Sequence, residues 1–506
     1  MNRMGWPCNL WRQNEATQYT SNIFNMLDFR KIDFGNTDAQ TESQNNPRLL
    51  IEGYYDLENR AERMLNTAAF LVLGYKGSGK TALSEHLYLK SKNDNSFVVE
   101  KISLKDLAYN SIVKIVPGGD EKEIKAKVAW RWLLLVKTLF SLNNDSEARS
   151  NKLDDIRKTI EMFAQCGLLP VNDINSLVKT TSSKNFKIQI QNFVFERTQT
   201  KENAQLNLEQ LIDYVKSLLF SYDEGHQHVI IIDGLDDILT SCDIQYKVIT
   251  ALINEARDLN VLFKNNHLDV KIIVLCRTDI FERLNDPNKN KIKQDNSLTF
   301  DWYQEGLEEP ANCGLIKIAN RRTQIIYPEI EDMFSTFFPQ KYDRRDVRSS
   351  LLDMTRHTPR DFLQLLKKIQ GNCSQEAVTQ ENIKKGIKEY STDYFLPEIR
   401  DELVGYIPGK YIECLFQFLS SFHKRELDYG ELKREYEHYE IAQCEKELDE
   451  ILKILFECSA IGNEYVHFGN YEKRKSFKYR NRISTFNSRQ GIIIHKGLWK
   501  ALNVNF

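Results

Sequence analysis

The sequence predicts an α/β fold, with a mostly parallel sheet in the earlier part of the chain and helical and C-terminal modules after it. Four short β-branched runs, FLVLG, FVVEKISL, HVIIID and KIIVLC, alternate with stretches of helical periodicity. Such runs are typical of central strands in a parallel sheet, because helices cover both faces of these strands. A glycine-rich loop follows the first run, and an aspartate ends the third. Sheets of this class bind ligands at the edge formed by the carboxyl ends of their strands.

Shifts in periodicity divide the chain into four predicted segments. At roughly 100 to 200 residues per domain, 506 residues should form about three domains. The predicted segments are an N-terminal arm at 1–50, an α/β core at 51–330 with a helical insertion at about 110–220, a helical lid at 331–405 and a winged-helix domain at 406–506. One helix of the insertion is predicted to bury a face formed by Ile124, Val128, Trp132, Val136 and Phe140.

The composition is that of a globular protein, at 41% hydrophobic and 28% charged residues. The 69 basic and 71 acidic side chains leave a net charge of -2, so any attraction to nucleic acid must come from a local patch. The beginning of the chain does not resemble a signal peptide, and the nine cysteines form no CxxC pair. The longest apolar helical stretch, AWRWLLLVKTLF, contains Arg131 and Lys137. We therefore expect a cytoplasmic protein that crosses no membrane.

Residues 74–81, GYKGSGKT, satisfy the Walker A pattern GxxxxGK[ST] between a predicted strand and a predicted helix. The glycines let backbone N–H groups turn inward around phosphates, and the helix N-terminus adds a positive dipole end. The residues predicted to bind nucleotide here are Gly74, Gly77, Ser78, Gly79, Lys80 and Thr81. Lys80 would reach the β- and γ-phosphates and assist catalysis, while the Thr81 hydroxyl would ligate magnesium. The alternative is a glycine-rich turn with an exposed lysine.

The run HVIIID delivers Asp233 to the carboxyl end of a buried strand, where it can hold magnesium opposite Thr81. Gly234 is expected to leave room beside the phosphates. Asp236 or Asp237 could orient or deprotonate the attacking water. The alternative for each of these aspartates is a helix N-cap, where Asp is also favoured.

Arginines supply further candidates for contact with the nucleotide. Arg277 ends the run KIIVLC, where it could sense the γ-phosphate or pair with a surface carboxylate. Pro359 and Arg360 begin a predicted helix from which a second lobe could reach the nucleotide. The weaker candidates are Arg321, Arg322 and Arg356, because arginines on exposed helices are usually solvated.

The segment DGLDD resembles the magnesium strand of STAND ATPases, particularly the NACHT branch. The strand that ends in Arg277 resembles the first sensor of that class, and HTPRDFLQLL resembles a proline-bearing helix also seen in KAP-type and origin-recognition ATPases. The order of RTDIFERL, DFLQLL and IIIHKGLWKALN is similar to a prokaryotic FunZ-like P-loop ATPase family, from about residue 50 onward. This resemblance implies an ATPase core, a helical lid, a winged helix and nucleotide-dependent rearrangement or assembly, often in defence settings. The long repeat array of many STAND sensors is not evident.

The C-terminal segment predicts helices at 411–422, from about 429 and from about 444 to 458, strands near EYVHF and SFKYR, and a final helical turn. The third helix carries the acidic stretch EKELDE, which would repel DNA phosphates. Between residues 471 and 500, only Glu472 opposes nine basic residues. These are Lys473, Arg474, Lys475, Lys478, Arg480, Arg482, Arg489, Lys496 and Lys500. They could contact nucleic-acid backbone, or form a solvated hairpin or a protein-docking module.

The sequence thus favours an ATPase that binds ATP and Mg²⁺ and acts as a conformational or assembly switch, with a second copy of the chain or an effector protein as partner. The alternative is a DNA-binding ATPase resembling origin-recognition proteins, with the basic segment as its contact surface. A small-molecule kinase is disfavoured, because helical and winged modules stand where an acceptor pocket would be expected.

Overall fold

The computed structural model describes residues 27–94, 96–105, 112, 122–145, 151–165, 178, 204–222, 225–235, 243–306, 309–466 and 472–504. The chain divides into two compact units. The sheet unit consists of Asp38–Ile51 and Asp56–Trp302. The helical unit consists of Met1–Thr37, Glu52–Tyr55 and Tyr303–Phe506. The four predicted segments stay a prediction. None of the helices in the described ranges is both long enough and apolar enough to cross a membrane.

Five parallel strands form the centre of the sheet unit. They are β1 (Leu71–Gly74), β2 (Phe97–Ser103), β3 (Gln227–Asp233), β4 (Val270–Arg277) and β5 (Ser297–Phe300). Their order is β2-β3-β4-β1-β5, and each neighbouring pair is parallel. The predicted α/β fold with a mostly parallel sheet is therefore confirmed for this unit. Because all five strands run in one direction, their carboxyl ends share one edge.

Helices cover this sheet, which explains why its strands read as continuous apolar runs. They are α1 (Ala39–Asn45), α2 (Arg48–Ile51), α3 (Arg60–Asn66), α4 (Lys80–Asn93), α5 (Lys122–Asn143), α6 (Asn151–Gln165), α7 (Ala204–Phe220), α8 (Asp243–Asn265), α9 (Thr278–Arg283) and α10 (Lys289–Asn296). Helices α5, α6 and α7 lie in the chain between β2 and β3, where the sequence predicts a helical insertion.

Helix α5 is buried around nearly its whole circumference from Ala129 to Leu142, and it belongs to the main core. The predicted face is buried at Trp132 and Val136 and packs against the core at Val128 and Phe140, but Ile124 is 52% exposed and burial extends beyond this face. The physical reason is that α5 packs against α8, α7, α6 and the sheet. The buried Trp130 indole donates a 3.0 Å hydrogen bond from Nε1 to the Val248 carbonyl of α8.

The helical unit contains nine α-helices and two small antiparallel sheets in its described residues. The helices are α11 (Gly314–Ile326), α12 (Met333–Phe337), α13 (Val347–Leu352), α14 (Pro359–Gly371), α15 (Gln380–Tyr390), α16 (Leu396–Leu403), α17 (Gly409–Ser421), α18 (Tyr429–Tyr436) and α19 (Leu448–Glu457). The strands are β6 (Lys341–Tyr342), β7 (Arg345–Asp346), β8 (Glu426–Leu427), β9 (Ile461–Val466), β10 (Lys473–Ser476) and β11 (Gly491–Ile494). Strand β6 pairs with β7, and the last four strands form a sheet in the order β10-β9-β11-β8.

Local sequence determines where the central helices of this unit begin. The Thr358 hydroxyl accepts a hydrogen bond from the Asp361 N–H, and Pro359 occupies the first turn of α14. Thr379 and Asn382 form a reciprocal capping box at α15. Helices α14 and α15 then pack closely, because a Cβ on Gly386 would lie 2.5 Å from the Ile369 Cα. Only glycine permits this approach.

The C-terminal segment follows the predicted order of helices but contains more strands than predicted. The predicted strand near EYVHF corresponds to β9, whereas the one near SFKYR overlaps β10 only at Ser476, because residues 478–480 form a turn. Strands β8 and β11 were not predicted. Strand β8 has only two residues, while β11 is the apolar run GIII that pairs with both β8 and β9. The predicted order of three helices followed by two strands suggested a winged helix, and that interpretation stays a proposal.

A buried charge cluster links α14 to α16. The Arg356 guanidinium donates to Asp361 Oδ2 at 2.9 Å and to Glu402 Oε1 at 2.6 Å, and the Tyr394 hydroxyl donates to Asp361 Oδ1 at 3.0 Å. Arg322 is also buried and donates to the Phe34 carbonyl at 2.7 Å. The expectation that Arg356 and Arg322 are solvated is therefore wrong. Their guanidinium groups satisfy buried acceptors instead.

Two buried histidines lie beside this cluster. Burial, together with the positive charge of Arg480, lowers the pKa of His495 to about 3 and that of His357 to about 4. His495 Nδ1 accepts a 3.0 Å hydrogen bond from the Gly497 N–H, which requires that nitrogen to be unprotonated. The His495 ring stacks on Phe395 with centroids 4.9 Å apart. Both histidines are therefore neutral in the folded unit.

These pKa values predict acid destabilisation of the helical unit. Since the folded-state pKa of His495 lies below its ordinary 6.5, the unfolded chain binds more protons, and stability falls as the pH drops from 6.5 toward 4. For one such histidine the loss between pH 7.5 and 5.5 is about 1.4 kcal/mol. Thermal unfolding of the parent and of His495→Asn at these two pH values measures it. The variant should be less stable at both, with a smaller difference between them. If the stability difference between the two pH values were the same in His495→Asn as in the parent, the lowered pKa of His495 would be contradicted.

Candidate nucleotide-binding site

The glycine-rich loop begins where β1 ends. A Cβ on Gly74 would lie 2.3 Å from Ser78 Oγ and 3.1 Å from Phe300 Cβ, so the loop closes on itself only with glycine here. Gly77 and Gly79 have φ of 79° and 95°, the left-handed region that favours glycine. The Walker A pattern therefore forms a compact loop at the head of α4, as predicted from the spacing of its glycines.

Lys80 is the first residue of α4, and its side chain lies over the loop. It is 3% exposed, and its ammonium donates to the Gly74 carbonyl at 3.2 Å and the Tyr75 carbonyl at 3.3 Å. The alternative of an exposed lysine is therefore wrong. Ser78 Oγ is buried and has no hydrogen-bond partner among the described residues. A buried polar atom without a partner is costly, and a phosphate oxygen would satisfy it. The loop thus fits a phosphate group.

Asp233 is the last residue of β3, and its Oδ1 accepts a 2.7 Å hydrogen bond from the Gly234 N–H. Gly234 has a φ of 92°, and a Cβ there would lie 2.8 Å from the Lys105 nitrogen. The backbone after β2 therefore requires a glycine here, and the expected role of Gly234 beside the phosphates stays a prediction. Asp236 and Asp237 lie outside the described residues, so their roles stay predictions.

Arg277 ends β4, which lies between β1 and β3, and it is in register with Gly74. Its guanidinium binds Asp279 through two hydrogen bonds of 2.9 and 2.8 Å. Burial raises the pKa of Asp279, but the charges of Arg277, Arg283 and Lys80 outweigh burial and lower it. Arg277 therefore already has an anionic partner, one that also interacts electrostatically with the loop lysine.

The sheet brings most of the predicted site residues to a single edge. Strands β1 and β3 are two strand spacings apart, which is about 10 Å. The loop at 74–81 follows the carboxyl end of β1, and Asp233 ends β3. Arg277 ends β4, which lies between these two strands. Thr81 and Asp233 are the two residues that would hold Mg²⁺, which typically keeps several waters alongside one or two protein ligands. In the described part of the chain, no group of three or more metal-binding side chains is found.

Pro359 and Arg360 belong to the helical unit, whereas the loop belongs to the sheet unit. Arg360 Nη1 lies 4.0 Å from Glu398 Oε2. Pro359 occupies the first turn of α14, where its fixed φ favours helix initiation. This position matches the predicted helix start, and a role of either residue in nucleotide binding stays a prediction.

The sequence analysis missed two side chains at the end of β4. They are Thr278 and Asp279, which directly follow Arg277. The Thr278 hydroxyl is buried and has no hydrogen-bond partner among the described residues. The polar triplet Arg-Thr-Asp directly after an apolar strand is the sequence feature that could have identified Thr278 and Asp279. Residues at the carboxyl ends of such strands often face ligands.

Ser141, His228 and Asp145 form a chain of contacts that resembles a nucleophilic triad. Ser141 Oγ lies 2.9 Å from His228 Nδ1, and His228 Nε2 lies 3.4 Å from Asp145 Oδ2. All three side chains are buried, and His228 is near the amino end of β3. A nucleophile must be reached by its substrate. The cluster is therefore a structural one, at the sheet edge opposite the loop.

A cavity of about 460 Å³ also lies at that opposite edge, with Thr67, Asn260 and Lys271 in its lining. The Lys271 ammonium donates to the Thr67 carbonyl at 2.5 Å, and burial lowers its pKa to about 8. The cavity meets the amino ends of β1, β3 and β4. It is therefore separate from the nucleotide-binding candidate.

Comparison with known proteins connects one segment of the chain to a family. The family model of the FunZ-associated C-terminal helical domain matches residues 314–396, which contain α11 to α15. The match supports the FunZ-like resemblance for this part of the helical unit. No curated protein matches the chain.

Among solved structures, the Aeropyrum pernix Orc1 protein in complex with DNA is similar to this chain. The identity is 12%, the TM-score is 0.39, and the alignment covers 90% of this chain and 94% of that chain. One fold serves many activities, so a likeness at this level establishes neither activity nor ligand.

The close approach at Gly74 predicts that Gly74→Ala weakens nucleotide binding. The added methyl must displace Ser78 Oγ or Phe300, so we expect the dissociation constant for ATP to rise about tenfold or more, which is about 1.4 kcal/mol. Calorimetric titration measures it. Gly371→Ala is the matched control, because a Cβ there meets nothing within 4 Å. Equal affinity of the Gly74→Ala variant and the parent would refute the assigned loop geometry.

Proposed function

We propose that this chain is a P-loop ATPase that binds Mg-ATP and acts as a nucleotide-driven conformational or assembly switch. The observation that carries the proposal is the pairing of a buried Lys80 over a left-handed glycine loop with Asp233 at the same sheet edge. A cation and inward-turned amides suit the phosphates, and a carboxylate across the edge suits their metal.

Each residue then has a defined role. Lys80 would exchange its bonds to the Gly74 and Tyr75 carbonyls for bonds to the β- and γ-phosphates. Ser78 Oγ would gain the partner that it lacks, and Thr81 and Asp233 would hold Mg²⁺. Mg²⁺ supplies charge neutralisation at the transferred phosphate.

Arg277 would respond to the γ-phosphate by exchanging partners. Its guanidinium is bound by Asp279, whose pKa is lowered partly by Lys80. A γ-phosphate would compete with that carboxylate for the guanidinium, since both are anions that accept paired hydrogen bonds. Release of Asp279 would change the start of α9. Asp236 or Asp237 would orient the attacking water.

The output of the cycle is proposed from the FunZ-like resemblance, which the match at 314–396 supports. Lobe closure, in which Pro359 and Arg360 approach the nucleotide, would change which surfaces are available to a second copy of the chain or to an effector protein. A defence role and a cytoplasmic location belong to the same proposal. The C-terminal residues 406–506 would act as a winged-helix module.

The proposal predicts that Lys80→Ala abolishes measurable ATP binding, because it removes the ammonium that faces the phosphates. Lys90→Ala is the matched control, since Lys90 is an exposed lysine on the same helix. Asp233→Asn should retain ATP binding without metal but lose its dependence on Mg²⁺, along with most of the turnover. Calorimetry and phosphate release measure these effects.

Native mass spectrometry with a non-hydrolysable ATP analogue then tests the switch. The parent should change in mass or in charge-state distribution, and Lys80→Ala should not. ATP binding by Lys80→Ala at parental affinity would overturn the phosphate assignment. Binding by the parent without any such change would leave an ATPase but exclude the switch.

A second candidate is a DNA-binding ATPase that uses the basic segment at 473–500. Several of its charges are already neutralised within the helical unit: Lys473 Nζ lies 2.8 Å from Glu464, and Lys478 Nζ lies 3.1 Å from Glu457. Arg480 lies 3.4 Å from Asp353. The exposed Arg474 and Arg489 are the residues that favour this candidate. The patch is therefore weaker than its composition suggests.

Titration of duplex DNA at about 50 and 200 mM salt distinguishes the candidates, because each phosphate contact steepens the salt dependence. We expect weak binding that Arg474→Ala/Arg489→Ala removes, with ATP turnover unchanged. Tight, salt-sensitive binding of the parent would favour the DNA-binding ATPase. Absence of binding at low salt would exclude it.

A further inference from the structure

We infer that Trp302 is a positioning residue for the phosphate loop, an inference that rests on the proposed ATP site. The Trp302 indole donates a 2.8 Å hydrogen bond from Nε1 to the main-chain carbonyl of Ser78, in the middle of the Walker A pattern. Trp302 is buried and lies two residues after β5, the strand next to β1. No Walker motif includes it, and the sequence analysis assigned it no role.

Because the peptide bond is planar, the hydrogen bond to the Ser78 carbonyl also determines where the Gly79 N–H points. In a trans peptide the carbonyl of one residue and the N–H of the next point in opposite directions. When the Ser78 carbonyl is fixed on the indole, the Gly79 N–H must therefore point away from Trp302. Gly79 has a φ of 95°, which only glycine adopts readily. A phosphate loop works by turning such N–H groups toward the anion, and the indole holds this peptide in one orientation.

Arg60 fixes the indole in turn. This arginine is 4% exposed, and its guanidinium carbon lies 4.9 Å from the Phe300 ring centroid and 5.7 Å from that of Trp302. It also donates to the Asp301 carbonyl at 3.0 Å and lies 3.7 Å from Glu58. A planar cation that contacts two rings and the main chain between them leaves the Trp302 side chain little freedom.

Phe300, whose ring lies under Arg60, also lies next to the start of the loop. A Cβ on Gly74 would lie 3.1 Å from the Phe300 Cβ, so Phe300 of β5 bounds the loop at Gly74, while Trp302, two residues after β5, binds it at Ser78. The first residue and the middle of the Walker A pattern therefore both adjoin residues 300–302, which carry no predicted motif. The buried Trp302 would report on a nucleotide bound to the loop through its fluorescence, because its Nε1 is hydrogen-bonded to the loop itself.

Trp302→Phe tests the inference, since it keeps a ring over Arg60 and removes the N–H donor. We expect the dissociation constant for ATP to rise about fivefold to tenfold, and the change of tryptophan fluorescence on addition of an ATP analogue to disappear. Trp130→Phe is the matched control: it removes another buried indole hydrogen bond, 3.0 Å to Val248, and should alter neither readout. Urea unfolding of both variants separates lost stability from lost positioning.

Arg60→Lys provides an independent measurement if Trp302→Phe does not fold, because it loosens the indole without removing its N–H. A rise in the dissociation constant of about threefold is expected. Parental ATP affinity in both variants, together with a fluorescence change that persists in Trp302→Phe, would overturn the inference while leaving the ATP site intact. Failure of the parent chain itself to bind ATP would instead refute the proposed function.

Discussion

The parallel register of the central sheet is the constraint on which the candidate site depends. Gly74 pairs with Arg277 across β1 and β4, and Ser103 pairs with Asp233 across β2 and β3. The loop, the acidic strand end and Arg277 are therefore brought to one edge by main-chain hydrogen bonds before any side chain contributes. Helices cover both faces of the sheet, and the burial of its apolar side chains stabilises it. The sheet therefore fixes the relative positions of the site residues.

The helical unit contains buried charged side chains, which are paired with one another. Arg356 is enclosed between Asp361 and Glu402, and two neutral histidines lie beside it. Such clusters tolerate no missing partner, because an uncompensated charge in the interior is far more costly than an exposed one. They favour a single arrangement of α14 and α16.

The sequence was most informative where chemistry and periodicity coincide. The Walker A loop and Asp233 follow apolar runs that could hardly be anything but buried strands, so their shared edge could be predicted. The circumferential burial of α5 could not, because it depends on helices distant in sequence. The buried state of Arg356 was missed for the same reason: its partner Glu402 is 46 residues away. Trp302 carried no motif, and only the folded β5 brings its indole to Ser78.

One consequence of that indole bond concerns chain connectivity. Trp302 is the last residue of the sheet unit, and the peptide bond after it leads into the helical unit at Tyr303. The main chain that leaves the sheet unit therefore starts from a residue whose indole is hydrogen-bonded to the Ser78 carbonyl of the glycine-rich loop.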